Sequence, residues 1–458
     1  MLDGVQLNSL ERFIISPYFN PREDAIKLIT YYKSEIKKTR PKLSKEEVFI
    51  HLFQAEHFDD QKLRLLLSKV LVLVKRFLFF EYAEDNESNV QNLLAQAYFK
   101  IGHEDLFVKT INKSKKKLEK QVWRNTEYFR LQLDLEQQYY DYISEHARSK
   151  ENNLQVLTDT LDVYYFANKL KQACLILGHQ AVYKKEYDTS SLEHALTYIE
   201  SRPALIESTP AIGIYYYCYL AMSSEDSEEM FLKFRKLLEK SKEKFKEEEV
   251  RVIYILAINY CIKRLNSGEA KYVKESFQLY RAGIESGYLL TNNTLSQFTY
   301  KNAVALGLGL KEYEWVEAFI FKFKDKLESK YKESIFTFNL AKLKQAQKKY
   351  EEAMSLLIQF NPDDLLLTLA AKTNLLKMYY ELDELDSLES LLQSMSAFLN
   401  RKKVLGYHKK HYKNIIKFTK KMINLPPYSK KERVQLKIEI EEAEMRSEKE
   451  WFLEQLGD

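Results

Sequence analysis

The chain has 458 residues, and its 71 Lys and Arg against 66 Asp and Glu leave a formal net charge of only +5. This near balance excludes a polyanion-binding protein that works through overall charge, although local patches need separate consideration. Hydrophobic residues make up 45% of the chain, and glycine and proline number only 11 and 8. Extensive disorder is therefore excluded, and an all-α protein is predicted.

The three cysteines, Cys174, Cys218 and Cys261, are far apart and lack a CxxC spacing. This argues against a disulfide framework and a zinc site, and it fits a reducing cytosol. The first residues have neither the basic nor the apolar region of a signal peptide. The most apolar span, residues 63–80, contains four basic residues, which indicates a buried helix rather than a membrane span. We therefore expect a cytoplasmic protein without membrane insertion.

Residues 1–82 are predicted to form an N-terminal domain of four helices. Asn20 and Ser44 each precede a helix-like segment with a glutamate three residues later, which is the pattern of a capping box. The last of the four helices begins after Asp59 and is apolar on most faces. We expect other elements to cover that helix on most sides.

Three segments of this domain carry a resemblance: FIISPYFN at 13–20, EVFIHLF at 47–53 and DQKLRLLLS at 60–68. They look like the opening of a family of uncharacterised helical proteins from Bacteroidota-type bacteria, whose bodies are also repeat-like. The resemblance implies a bacterial, cytoplasmic protein. It implies no particular activity.

Residues 83–300 are predicted to continue as degenerate helical hairpins without a constant period. The segments 94–111 and 256–260 fit parts of such hairpins, whereas longer helices over 122–148 and 153–184 interrupt the spacing. No linker rich in Pro, Gly or Ser divides the chain. We therefore expect one continuous body that follows a distinct N-terminal cap.

The clearest pattern lies in residues 301–399, where a motif returns every 34 residues, at Leu306, Leu340 and Asn374. Each time, a small residue follows in the second helix. A two-helix unit cannot bury its apolar face alone, so stacked copies would share one continuous core. The residues predicted to pack these hairpins together are Leu306, Gly307, Trp315, Ala318, Leu340, Ala341, Tyr350, Ala353 and Leu357.

The spacing resembles the tetratricopeptide repeat. The best match, residues 338–362, reads FNLAKLKQAQKKYEEAMSLLIQFNP. It departs from the family at Lys344, where an aromatic residue is usual, and at Pro362, which comes three residues early. The resemblance covers roughly a quarter of the chain. It implies an α-solenoid of antiparallel helical hairpins, and the alternative is a chance helical hairpin.

Residues 400–458 are predicted to form a basic helix and an acidic C-terminal capping helix. The segment 401–421 contains nine basic residues and no acidic one. Such a face can bind phosphate-rich partners, but the acidic helix at 432–458 can neutralise it across a hairpin, and we favour neutralisation. The candidate anion-binding or partner-binding lysines on this face are Lys409, Lys410, Lys413, Lys417 and Lys421.

Other chemical signals are weak. His408 and His411 have a spacing that suits two metal ligands, but the surrounding lysines oppose a dication, so we predict no metal and no cofactor. The tyrosine-rich segments 164–166 and 215–219 are more typical of a core than of a ligand groove. No P-loop, GxGxxG motif or nucleophile elbow is present, and we predict no enzymatic activity.

The expected function is therefore a non-enzymatic scaffold or adaptor that binds a partner peptide or helix in a solenoid groove. One alternative is a nucleic-acid-associated regulator, with a helix-turn-helix in residues 44–67 and the repeats as its sensor. Its recognition helix would be apolar on most faces, which does not suit base contacts. An enzyme of unrecognised type is the third hypothesis.

Overall fold

The computed structural model confirms an all-α protein. It describes residues 2–54, 57–85, 87–146, 152–183, 185–224, 227–360, 362–401, 407–426, 429–443 and 448–457. These residues form 23 α-helices and one two-stranded hairpin. The chain divides into two compact units, Met1–Lys169 and Leu170–Asp458. The division falls inside helix α8, Leu154–Tyr183.

The first unit contains seven complete helices and the start of α8. They are α1 Gly4–Ile15, α2 Glu23–Glu35, α3 Lys45–Phe53, α4 Asp60–Asp85, α5 Glu87–Lys100, α6 Glu104–Glu119 and α7 Thr126–His146. Helix α3 begins with the predicted capping box, in which Ser44 and Glu47 satisfy each other's backbone N–H groups. Asn20 forms no such box. Its buried amide donates to the carbonyl of Ile14, and α2 starts only at Glu23.

Helix α4 is less buried than the sequence predicts. Its buried residues, Leu63, Leu66, Val70, Leu73 and Phe77, join one core with α1, α2 and α3. The opposite face is exposed: Leu65 is 59% exposed, Val72 48% and Phe79 60%. The expectation that other elements cover this helix on most sides is wrong, because the neighbouring helices contact only one stripe of it.

The second unit contains the rest of α8 and fifteen further helices. They are α9 Ser190–Glu200, α10 Pro203–Ser208, α11 Pro210–Ser223, α12 Glu228–Ser241, α13 Glu247–Asn266, α14 Tyr272–Glu285, α15 Gln297–Gly309, α16 Tyr313–Lys322, α17 Lys332–Ala346, α18 Tyr350–Ile358, α19 Leu365–Glu381, α20 Leu385–Arg401, α21 Tyr407–Ile423, α22 Lys430–Glu442 and α23 Lys449–Leu456. Strands β1 Leu290–Thr291 and β2 Thr294–Leu295 pair antiparallel before α15. The predicted boundary at residue 300 therefore falls within α15.

Consecutive helices of this unit contact each other in pairs, α11 with α12 and so on to α19 with α20. The first helices of neighbouring pairs also touch, α15 with α17 and α17 with α19. The turns inside three pairs share one geometry, with a left-handed residue at Lys311, Lys348 and Asp383. The residue after each donates its N–H to a carbonyl five residues earlier, at 2.9 Å, which is the Schellman end of a helix.

The residues predicted to pack the hairpins take different positions. Gly307, Ala341, Ala353 and Leu357 are buried, whereas Leu306, Trp315, Leu340 and Tyr350 are partly buried. The sequence predicts Ala318 at a packing position, but the residue is exposed. The reason is that α16 buries the stripe of Val316, Phe319 and Ile320, and Ala318 lies on another face.

Gly307 and Gly309 offer a matched test of the close crossing between α15 and α16. A Cβ at Gly307 would lie 2.5 Å from Cγ2 of Val316, whereas a Cβ at Gly309 would meet no atom within 4 Å. We expect Gly307→Ala to destabilise the protein by ~1–3 kcal/mol through overpacking. Gly309→Ala should stabilise it by up to ~1 kcal/mol through helix propensity. Thermal unfolding measures both, and shifts of the same sign would contradict the crossing.

Candidate functional site

A cavity of about 860 Å³ lies along the first helices of three consecutive pairs in the second unit. Helices α15, α17 and α19 form its wall, and residues of α21 and α23 lie at one end. Its lining mixes apolar side chains such as Phe298 and Leu367 with charged ones. A volume of this size is within the usual range of ligand pockets, ~300–1,000 Å³.

Helical spacing explains why these side chains meet at the cavity. In α17, Phe338, Lys342 and Gln345 recur at intervals of four and three residues, which places them on one helix face. The same spacing in α19 aligns Thr373 and Lys377. Each first helix thus turns one mixed face to the cavity.

One end of the cavity is tied to the C-terminal segment by two polar contacts, and a third contact joins α18 to α19. Lys377 forms an ion pair with Glu448, which precedes α23. Glu381 accepts a hydrogen bond of 2.7 Å from the indole nitrogen of Trp451 and a second one from the hydroxyl of Tyr350. The contacts of Glu448 and Trp451 hold α23 against α19.

The cavity also contains two lysines without a carboxylate partner. Neither Lys301 nor Lys342 has an ion pair or a hydrogen bond to another side chain within the described parts of the chain. Burial lowers the pKa of the Lys342 ammonium, and Lys377 and Lys301 lower this pKa further, whereas Glu448 raises it. The positive charges of Lys377 and Lys301 thus disfavour the charged form of Lys342.

The basic face predicted on α21 is partly neutralised. Lys421 Nζ lies 2.6 Å from a carboxylate oxygen of Glu439 in α22, and Lys417 Nζ lies 3.5 Å from the same oxygen. The hydrogen bond from Lys421 lowers the pKa of Glu439. Lys413 and Lys410 are exposed and Lys409 is partly exposed. Residues 402–406 of the predicted basic segment are outside the described residues.

The two predicted histidines do not both line the cavity. His411 lines the cavity, and burial lowers its imidazole pKa, with His408 adding to this effect. Within the described ranges, no group of three or more His, Cys, Asp or Glu side chains could hold a metal ion. The three cysteines are buried thiols, and burial raises the pKa of Cys261 to about 12.

Sequence analysis did not single out Lys301, Lys342, Lys377 or Glu448. The signal available was a lysine in the first helix of each neighbouring hairpin, with Lys342 and Lys377 separated by 35 residues. Glu448 had no such signal, because its position depends on how α23 packs against α19.

Comparisons with protein-family models, curated proteins and solved structures find no match for the chain. In the part of the chain that the structure describes, no helix combines the length and apolar composition that a membrane crossing needs. The function must therefore be argued from the cavity itself.

Proposed function

We propose that this protein is a non-enzymatic adaptor that binds a segment of a partner protein in the cavity along α15, α17 and α19. The observation that carries the proposal is that one continuous lining comes from the first helices of three consecutive hairpins. This arrangement suits an extended peptide or a helix, because the lining combines apolar and polar side chains. The repeated Schellman turns support a regular, tetratricopeptide-like stack of hairpins, an α-solenoid.

The nucleic-acid hypothesis has less support. Its recognition helix would begin at α4, where Leu63 and Leu66 are buried and Leu65 and Leu67 are exposed. An exposed helix face that reads bases needs polar side chains. Residues 55–56 of the supposed turn are outside the described residues. The pairing of α21 lysines with Glu439 further weakens a phosphate-binding surface there.

Site-specific photocross-linking in cells tests the adaptor proposal. A photoreactive phenylalanine analogue replaces Phe298, which lines the cavity and is 66% exposed, or Phe321, which lies outside it and is 55% exposed. We expect a discrete protein adduct from position 298 only. The cross-linked segment is then synthesised as a peptide, and its affinity is measured against wild type and the cavity-filling variant Ala370→Trp.

The variant should weaken peptide binding at least ~10-fold, because an indole at residue 370 would fill the space that the peptide needs. Equal cross-linking from both positions, or unchanged affinity for Ala370→Trp, would count against the cavity as the binding site. Ala318→Trp serves as the control substitution, since Ala318 is exposed on α16 and outside the cavity.

A further inference from the structure

Two of the three lysines that line the cavity, Lys301 and Lys342, form no ion pair among the described residues. Within the described part of the chain, three carboxylates also line the cavity, and of these Glu448 acts on the pKa of the Lys342 ammonium. The other two are engaged elsewhere: Asp364 accepts the N–H groups of Leu366 and Leu367 at the start of α19, and Glu381 accepts from Tyr350 and Trp451. Among the described residues, Lys377 is thus the one lysine of the three with a salt bridge, and no carboxylate lies within ion-pair distance of the Lys301 and Lys342 ammonium groups.

We propose that Lys301, Lys342 and Lys377 form a subsite for a phosphate monoester. The inference rests on the proposed function in that the phosphate would belong to the segment bound in the cavity, as a phosphorylated side chain. A free small-molecule phosphate would present the same chemistry.

The charge and the chemical type of the donors both favour a phosphate monoester over a single carboxylate. A monoester carries about −1.5 to −2 charges at pH 7 and three acceptor oxygens, which suits a site with two ammonium groups that lack a salt bridge and a third that has one. Lysine ammoniums act as point charges on such oxygens, whereas recognition of a planar carboxylate favours the fork of an arginine. Among the residues that the structure describes, no arginine lines the cavity.

Glu448 has a distinct part in this subsite. Its carboxylate already pairs with Lys377, so it competes with an incoming phosphate for that ammonium. Removing the negative charge with Glu448→Gln should tighten phosphate binding. Removing a lysine should weaken it. The two opposite effects separate a phosphate subsite from general damage to the cavity.

Isothermal titration calorimetry of the intact protein provides the test. The probes are a capped tripeptide with a central phosphoserine, the same tripeptide with serine or glutamate, and glycerol 3-phosphate. We expect phosphoserine to bind at least about tenfold more tightly than serine or glutamate, as the loss of a charge-assisted hydrogen bond predicts. Lys342→Met and Lys301→Gln should each weaken phosphoserine binding about tenfold by the same reasoning. Glu448→Gln should strengthen it.

Thermal unfolding gives a second readout for Lys342→Met. This variant should unfold at a higher temperature than wild type, because it removes an ammonium that is partly buried and has no carboxylate of its own. Higher stability together with lost phosphate binding would show that the lysine serves the ligand. A destabilised variant that still binds phosphoserine would overturn the proposal.

The triple variant Lys409→Gln, Lys413→Gln, Lys417→Gln on α21 is the control, and it removes more positive charge than either single variant of the cavity. We expect it to bind phosphoserine as wild type does, and loss of binding there would overturn the proposal. So would equal affinity for the glutamate tripeptide. Binding of glycerol 3-phosphate without any cross-linked partner would support the subsite and count against the adaptor. A partner segment that binds in the cavity without phosphate would support the adaptor and count against the subsite.

Discussion

Ala353→Trp is expected to lower the free energy of unfolding by about 3 kcal/mol or more, because overpacking of a filled core costs ~1–3 kcal/mol for smaller changes. Ala353 is fully buried in α18. Helix α18 packs against both α17 and α19. An indole at this position must push these helices apart. The midpoint of thermal unfolding measures the effect.

Ala318→Trp is the matched control, because the sequence pattern treats Ala318 and Ala353 as equivalent positions of successive hairpins. Ala318 is exposed in α16, so the same substitution there should change stability by no more than ~0.5 kcal/mol. Equal losses of stability from the two substitutions would contradict the structure, in which Ala353 is buried and Ala318 is exposed.

Lys171→Met is expected to destabilise the second unit by about 2–3 kcal/mol, somewhat less than the cost of breaking a fully buried ion pair. Lys171 Nζ lies 2.9 Å from a carboxylate oxygen of Glu249, and the hydroxyl of Tyr215 donates to the same oxygen at 2.8 Å. The side chain of Glu249 is 8% exposed and that of Lys171 is 24% exposed. The substitution therefore leaves a buried carboxylate without its ammonium.

The double variant Lys171→Met, Glu249→Gln should recover part of the loss, since an amide needs no counterion. Thermal unfolding of the single and the double variant tests this point, and a double variant no more stable than the single one would contradict the role of Glu249.

The helical class was predictable because periodicity and composition act locally, and the structure confirms it. Packing that depends on several helices at once was not predictable from the sequence. Ala318 illustrates this, because the motif spacing does not specify which face of α16 becomes buried. The exposed stripe of α4 is another case: its composition alone predicts burial, but the contacts of α1, α2 and α3 cover only one side.

The cavity was less accessible to sequence analysis than the fold. In the sequence, a lysine such as Lys342 is typical of a solvent-exposed helix face. Only the stacking of α15, α17 and α19 places it in one cavity with Lys301 and Lys377. The basic run on α21 was easy to recognise because its residues are consecutive in the chain. In the structure, that run finds part of its counter-charge in Glu439, whereas of the three dispersed lysines only Lys377 has an ion pair among the described residues, with Glu448.

The bond between Trp451 and Glu381 gives the cavity its own optical reporter. The chain has only three tryptophans. Trp315 donates to Glu285 outside the cavity, and Trp123 belongs to the first unit. With Trp123 and Trp315 both replaced by phenylalanine, the tryptophan fluorescence of the protein would come only from Trp451, at the end of the cavity. A ligand that breaks the hydrogen bond of the Trp451 indole, or excludes water from the indole, would then change the emission wavelength. No attached dye would be needed.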